Sequence, residues 1–164
     1  MKVRLLYRGW MLSGEEYEAL DERGHALMTT PSECAAAHYL PNWYPRLKGY
    51  TARSVWTEGT DASEAWEAAR ELGSPPWLVK DHVRSAKERW AEACFVPAGA
   101  TREDFERICG NLLEERGDRF ERGFVVRRFL LLGLRAARTE DRGALLHASI
   151  DPRELFAALL GVER

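Results

Sequence analysis

Apolar and polar positions follow two rhythms along this chain, one strand-like and one helical, and the changes between them mark its elements. Val3 to Tyr7 reads as a first strand, and Ser13 with Glu16 three residues on makes a capping box for a helix that Gly24 ends. Ala26 to Met28 is a candidate second strand. Thr30 and Pro31, with Glu33, place a cap and a first-position proline before Cys34 to His38, whereas Pro41 and Pro45 predict an irregular stretch from Leu40 to Gly49. Ser54 to Trp56 is a short strand. Asp61 with Glu64 caps a helix running to Gly73, and the break at Ser74, Pro75 and Pro76 delivers the chain into a strand beginning Trp77-Leu78-Val79.

Ala93 to Val96 is apolar enough to be the antiparallel return of that strand, closed by Pro97. Thr101 with Asp104 starts a helix whose Phe105, Ile108, Cys109, Leu112 and Leu113 share one face, ending near Gly117. Phe124 to Leu132 is the strongest strand pattern, apolar on both sides of Arg127 and Arg128. Arg135 to Gly143 reads as a charged linker, and Asp151 and Pro152 with Glu154 cap a short terminal helix ending at Gly161. No repeat or low-complexity tract interrupts this order. It predicts an α+β (mixed α/β) domain with helices packed on a sheet.

Composition narrows the function classes. At 164 residues the chain suits one domain, or a small domain with an extension. A net charge of -2 gives no bulk argument for nucleic acid or an anionic membrane, so any basic cluster matters locally. Cys34, Cys94 and Cys109 are odd in number and widely spaced, which fits reduced thiols better than a disulfide framework. The N-terminus lacks a signal-peptide core, and no uncharged run approaches the roughly 20 residues of a membrane span. A cytoplasmic protein is expected.

Candidate chemistry centres on the run from Pro75 to Pro97. The strand at Trp77 stops on Lys80 and Asp81, with Arg84 and Lys87 close behind. A lysine at a strand end can hold a phosphate as a point charge while one on the adjoining loop closes over it. From spacing alone, the plainer account is that Lys80 marks where the strand leaves the core and that Arg84 and Lys87 are solvated. Neither common glycine-rich phosphate loop is present. Cys34 and His38, four apart, could share a helical face as metal ligands, but two ligands do not close a site and a buried thiol beside a packed histidine explains them as well. Cys94, inside an apolar run, reads as inert packing. Tyr39, Trp43 and Tyr44 form the best aromatic cluster, placed either to line a substrate entrance or to anchor the loop.

The same residues carry a family resemblance. Leu78-Val79-Lys80-Asp81, then Ser85 and Lys87, then Glu92-Ala93-Cys94-Phe95-Val96-Pro97, resemble the ATP-grasp proteins of the clade named for one arginine and two lysines. Upstream, His38 to Pro45 and Arg53 to Thr57 resemble the segment that precedes the nucleotide-binding part; downstream, Gly123 to Phe129 resembles the strand that carries the clade's arginine. The similar segments cover roughly residues 10 to 132. The resemblance implies residues 1–60 as a pre-ATP-grasp-like unit, 61–132 as the nucleotide-binding subdomain and 133–164 as an atypical tail. It implies ATP as the bound nucleotide, Lys80 on its α and β phosphates, Lys87 covering them and Arg127 as the third cation. It further implies activation of a carboxylate and its transfer to an amine, on small-molecule or peptide substrates.

Two departures qualify that implication. Arg128 stands where the family usually has a glutamate, and the acids expected to hold Mg2+ have no counterpart among Glu140, Asp141, Asp151, Glu154 and Glu163 in a strand setting. The sequence therefore predicts a partial ATP-dependent carboxylate-amine ligase, with weak or absent ligation. The alternative is a noncatalytic interaction or nucleotide-sensing module. Oligomeric state and substrate identity stay open.

Overall fold

The computed structural model describes residues 4–9, 12–23 and 26–130. The predicted charged linker and terminal helix lie outside the described residues, as does the end of the strand expected to reach Leu132. In order, the helices are α1 (Gly14–Glu22), α2 (Pro31–His38), α3 (Leu40–Leu47), α4 (Ala62–Ala69), α5 (Trp90–Ala93) and α6 (Arg102–Arg116). The strands are β1 (Ser54–Trp56), β2 (Trp77–Asp81), β3 (Phe95–Val96) and β4 (Phe124–Arg128). They form one antiparallel sheet in the order β1-β4-β2-β3. The mixed α/β class is thus as read from the sequence, with β2 and β3 antiparallel and β4 in the same sheet.

Register explains which face is buried. Trp77 pairs with Arg128, Val79 with Val126 and Asp81 with Phe124, while Leu78 pairs with Arg127 and Lys80 with Val125. Directly paired residues share a face, so Trp77, Val79, Asp81, Phe124 and Val126 point one way and Leu78, Lys80, Val125 and Arg127 the other. The first face is covered by α4 and α6, which pack on each other and across the strands. On α6, Phe105, Ile108, Cys109, Leu112 and Arg116 are the buried positions, a helical stripe that carries its core face to the last turn. With Trp77, Phe105 and Phe124 almost wholly buried, these rings form the heart of the core. Trp66, Trp77 and Phe105 meet with ring centroids 5.4 to 6.1 Å apart.

Helix starts follow their local chemistry. Ser13 with Glu16, Thr30 with Glu33 and Thr101 with Asp104 form reciprocal capping boxes, and the Asp61 carboxylate accepts from the amides of Ser63 and Glu64. Gly73 and Gly117 end their segments at φ 84° and 48°, a backbone region that disfavours side chains. At Gly123 the constraint is space, since a Cβ there would collide with the carbonyl oxygen of Thr57.

Four local expectations change. Leu40–Leu47 is helical, not irregular. Pro41 occupies the first turn, where its missing donor costs nothing; Pro45 forfeits one internal bond, which anchors outside the helix offset. The Leu40 amide donates to the His82 carbonyl at 3.0 Å, and the Tyr44 hydroxyl accepts from the Ser54 amide at 2.9 Å. The expected strands at Val3 to Tyr7 and Ala26 to Met28 reduce, among the described residues, to one parallel bridge between Leu5 and Leu27. Leu5, Leu6 and Met28 stay exposed there, so little apolar burial rewards a longer ladder. Ala93 ends α5 and does not begin β3, because the chain must turn through Cys94 before it meets β2. The strand at Phe124 closes at Arg128, beyond which the Phe129 amide donates to the Pro76 carbonyl at 3.1 Å.

Candidate functional site

The face of the sheet turned away from α4 and α6 carries the cations. Lys80 on β2 and Arg127 on β4 lie diagonally across the strand pair, since Lys80 opposes Val125 and Arg127 opposes Leu78. Each is only half-buried, and both line a cavity of about 740 Å³. Lys87, in the 3-10 turn Lys87–Arg89 after β2, lines the same cavity, as do Arg84 and Arg119. The structure therefore brings together the three cations singled out in the sequence. Among the described residues, no carboxylate forms an ion pair with Lys80, Arg84, Lys87, Arg119 or Arg127.

Burial, more than like charge, sets the protonation of Lys80 and Arg127. Burial, reinforced by the Arg127 and Arg116 guanidiniums and only partly offset by Asp81, pulls the Lys80 ammonium down to about 8. Burial also lowers the Arg127 guanidinium. Arg127 donates to the Thr51 hydroxyl at 2.5 Å, and its guanidinium carbon stands 6.0 Å from the Trp43 ring centroid. Of the aromatic cluster near residue 40, Trp43 alone reaches this cavity. The buried Tyr39 hydroxyl donates to Glu121 at 2.9 Å, and Tyr44 sits edge-on to Trp56, so those two rings anchor α3.

The connection from Lys80 to Lys87 is tied at both ends. Asp81, wholly buried, accepts through Oδ1 from the amides of Val83, at 2.7 Å, and Arg84, while its own amide donates to the Arg84 carbonyl at 2.9 Å. Oδ2 accepts from Arg116 Nε at 2.8 Å. At the far end, the Ala86 amide donates to Cys94 Sγ at 3.1 Å, and the thiol donates back to the Ala86 carbonyl at 3.3 Å. Burial raises that thiol to about 11, which suits a packing role and not a nucleophile. His82 is also buried, its Nε2 2.9 Å from the Thr57 carbonyl oxygen.

Sequence reading named Arg84 only as a neighbouring charge and missed Arg116 and Arg119. The signal for Arg116 was present: it extends the stripe of Phe105, Ile108, Cys109 and Leu112 by one turn, and an arginine at such a position needs a buried acid. The buried acid is Asp81, which continues the inward row of Trp77 and Val79.

The donors suit a phosphate-rich anion better than a metal ion. Glu88 and Glu115 are the carboxylates lining the cavity, and no group of three metal-binding side chains occurs among the described residues. Cys34 and His38 line a neighbouring cavity, but among the described residues no third side chain completes a metal-binding group with them. The tail acids considered for Mg2+ lie outside the described residues.

A comparison with known families fits these donors. The model of the ATP-grasp domain, R2K clade family 3, matches residues 71–152. The chain belongs to this family. No curated protein matches it. The matched span of this ATP-grasp domain holds Lys80, Lys87 and Arg127, starts downstream of the His38 to Thr57 segment, and extends past Leu132 into the tail. An ATP-grasp-like nucleotide-binding fold follows, and with it the expectation of ATP and usually Mg2+ that goes with the family. Among the described residues no helix is long and apolar enough to cross a membrane.

Proposed function

We propose that the cationic cavity binds the triphosphate of ATP and that the protein works as an ATP-grasp component of carboxylate-amine ligation. One observation carries this reading: half-buried Lys80 and Arg127 share a cavity with Lys87, Arg84 and Arg119, and none has a carboxylate partner among the described residues. Cations held together without counterions are costly, and a bound polyanion removes that cost. Lys80 and Arg127 would hold phosphate oxygens from the sheet, and Lys87 would cover them from the turn. When bound, ATP supplies the phosphoryl group that activates a carboxylate. The positioned cations neutralise charge on that group, which is the main contribution a protein makes to phosphoryl transfer. The described carboxylates do not make a Mg2+ site, so no step is assigned to the metal.

Residues 61–132 would form the nucleotide-binding subdomain and residues 1–60 a preceding unit, of which β1 joins the common sheet at its edge. Calorimetric titration with ATP tests the cavity. Lys80→Ala should weaken binding by about 1.5 to 3 kcal/mol, or roughly 10- to 150-fold. Equal affinity for the two proteins would remove Lys80 from the site. Ligation is tested by ADP release in the presence of Mg2+ with a panel of carboxylates and amines; turnover must vanish in Lys80→Ala to belong to this cavity.

A further inference from the structure

Asp81 ends the inward row of β2, where Trp77 and Val79 are apolar, yet its carboxylate is wholly buried and fully engaged. A charge in that position is costly unless it is paired and hydrogen-bonded. Its partners come from two separate elements beside the cavity: the amides of Val83 and Arg84 within the loop, and Arg116 at the end of α6. Arg116 in turn donates through an η nitrogen to the Arg119 carbonyl at 2.7 Å, which reaches the segment bearing another cavity cation. One carboxylate thus connects the strand of Lys80, the loop of Arg84 and Lys87, and the helix end that leads to Arg119.

We propose that Asp81 is a positioning residue, which holds the loop of residues 82–87 over the cavity so that Arg84 and Lys87 close on an anion gathered at Lys80. The inference rests on the phosphate-binding reading of the cavity. Asp81 does not touch the anion in this arrangement; it acts through the turn and through Arg116. Cys94 anchors the opposite end of the loop at Ala86, so that the backbone of Arg84 is held by the first tie and Lys87 follows one residue beyond the second. A short loop with both ends fixed presents its side chains in a narrow range of positions, so little ordering is left to oppose binding.

The test is a double-mutant cycle on ATP affinity in the full chain, using wild type, Lys87→Ala, Asp81→Ala and the combined variant; alanine is chosen because asparagine would keep an Oδ1 able to accept from the Val83 and Arg84 amides. If Asp81 acts through the loop, Lys87→Ala weakens ATP at least about fivefold in the wild-type background and less than about twofold in the Asp81→Ala background, the non-additivity expected of coupled sites. General destabilisation would not move that ratio. Amide hydrogen exchange without nucleotide gives an independent readout: Val83 and Arg84 should exchange faster in Asp81→Ala while Val79 and Val126 in the sheet keep their protection. Should Asp81→Ala fail to fold, Asp81→Ala with Arg116→Gln removes both buried charges together and serves in its place. Equal Lys87→Ala effects in both backgrounds, with unchanged exchange at Val83 and Arg84, overturn the proposal. If wild type binds no ATP but the loop amides still accelerate, the cavity reading fails and the tethering of the loop by Asp81 stands.

Discussion

Lys80 carries a charge that is costly to the fold and that, in the proposed site, would be offset by a bound anion. Its ammonium, drawn down to about 8 by burial and by Arg127 and Arg116, is charged below that pH at the expense of stability. Because the folded value lies below the ordinary lysine value of 10.5, the unfolded chain binds more protons between about pH 8 and 10.5, and folding stability gains as pH rises through that window. Anion binding has the opposite dependence. A phosphate beside Lys80 raises its proton affinity, so ATP binding is strongest below about pH 8 and weakens above it, approaching tenfold per pH unit. Titrations between about pH 7.5 and 9.5 should show this decline. Lys80→Arg, which keeps its charge throughout, should flatten it, and a wild-type profile as flat as the variant's would mean that Lys80 is not at the anion.

The elements that build the site were legible in proportion to how local their causes are. Capping boxes at Ser13, Thr30 and Thr101 are satisfied within four residues, and their helices begin where the sequence places them. Lys80 and Arg127 were readable as candidates, but their shared face depends on the register of β2 with β4, which no single segment contains. The helix at Leu40–Leu47 was hidden for the same reason, because its support comes from His82 and Ser54 and outweighs two prolines. The Asp81 and Arg116 pair is legible only when the inward rows of β2 and α6 are laid side by side. Stability should report this division. Phe105→Ala, which removes a ring shared by Trp66 and Trp77, should cost about 3 to 5 kcal/mol in chemical denaturation, and Asp61→Ala, which removes only a cap, about 1 kcal/mol. Comparable losses for the two would mean that the core is not centred on Phe105.

At the scale of the whole molecule, the two faces of the sheet differ in character. One side, under α4 and α6, holds the aromatic core; the other turns toward the cavity Lys80 and Arg127, which have no carboxylate ion-pair partner among the described residues. Strand alternation makes this division possible without sacrificing the core, since Lys80 interrupts no buried row. A ligand that neutralises the cationic face should therefore stabilise the folded chain by mass action without altering its core. At ATP concentrations 100-fold above the dissociation constant the gain is about 2.7 kcal/mol. For a chain of this size that corresponds to a rise in Tm of roughly 5 to 10 °C. Inorganic triphosphate should reproduce much of the shift if phosphate contacts dominate, whereas adenosine should reproduce little. Lys80→Ala should lower the ATP-induced shift while leaving the unliganded Tm at or above that of wild type near neutral pH, because it removes a charge the fold is penalised for holding. An adenosine shift equal to that of ATP would move the binding energy from the cationic face to the base, and the assignment of Lys80, Lys87 and Arg127 as phosphate ligands would fall.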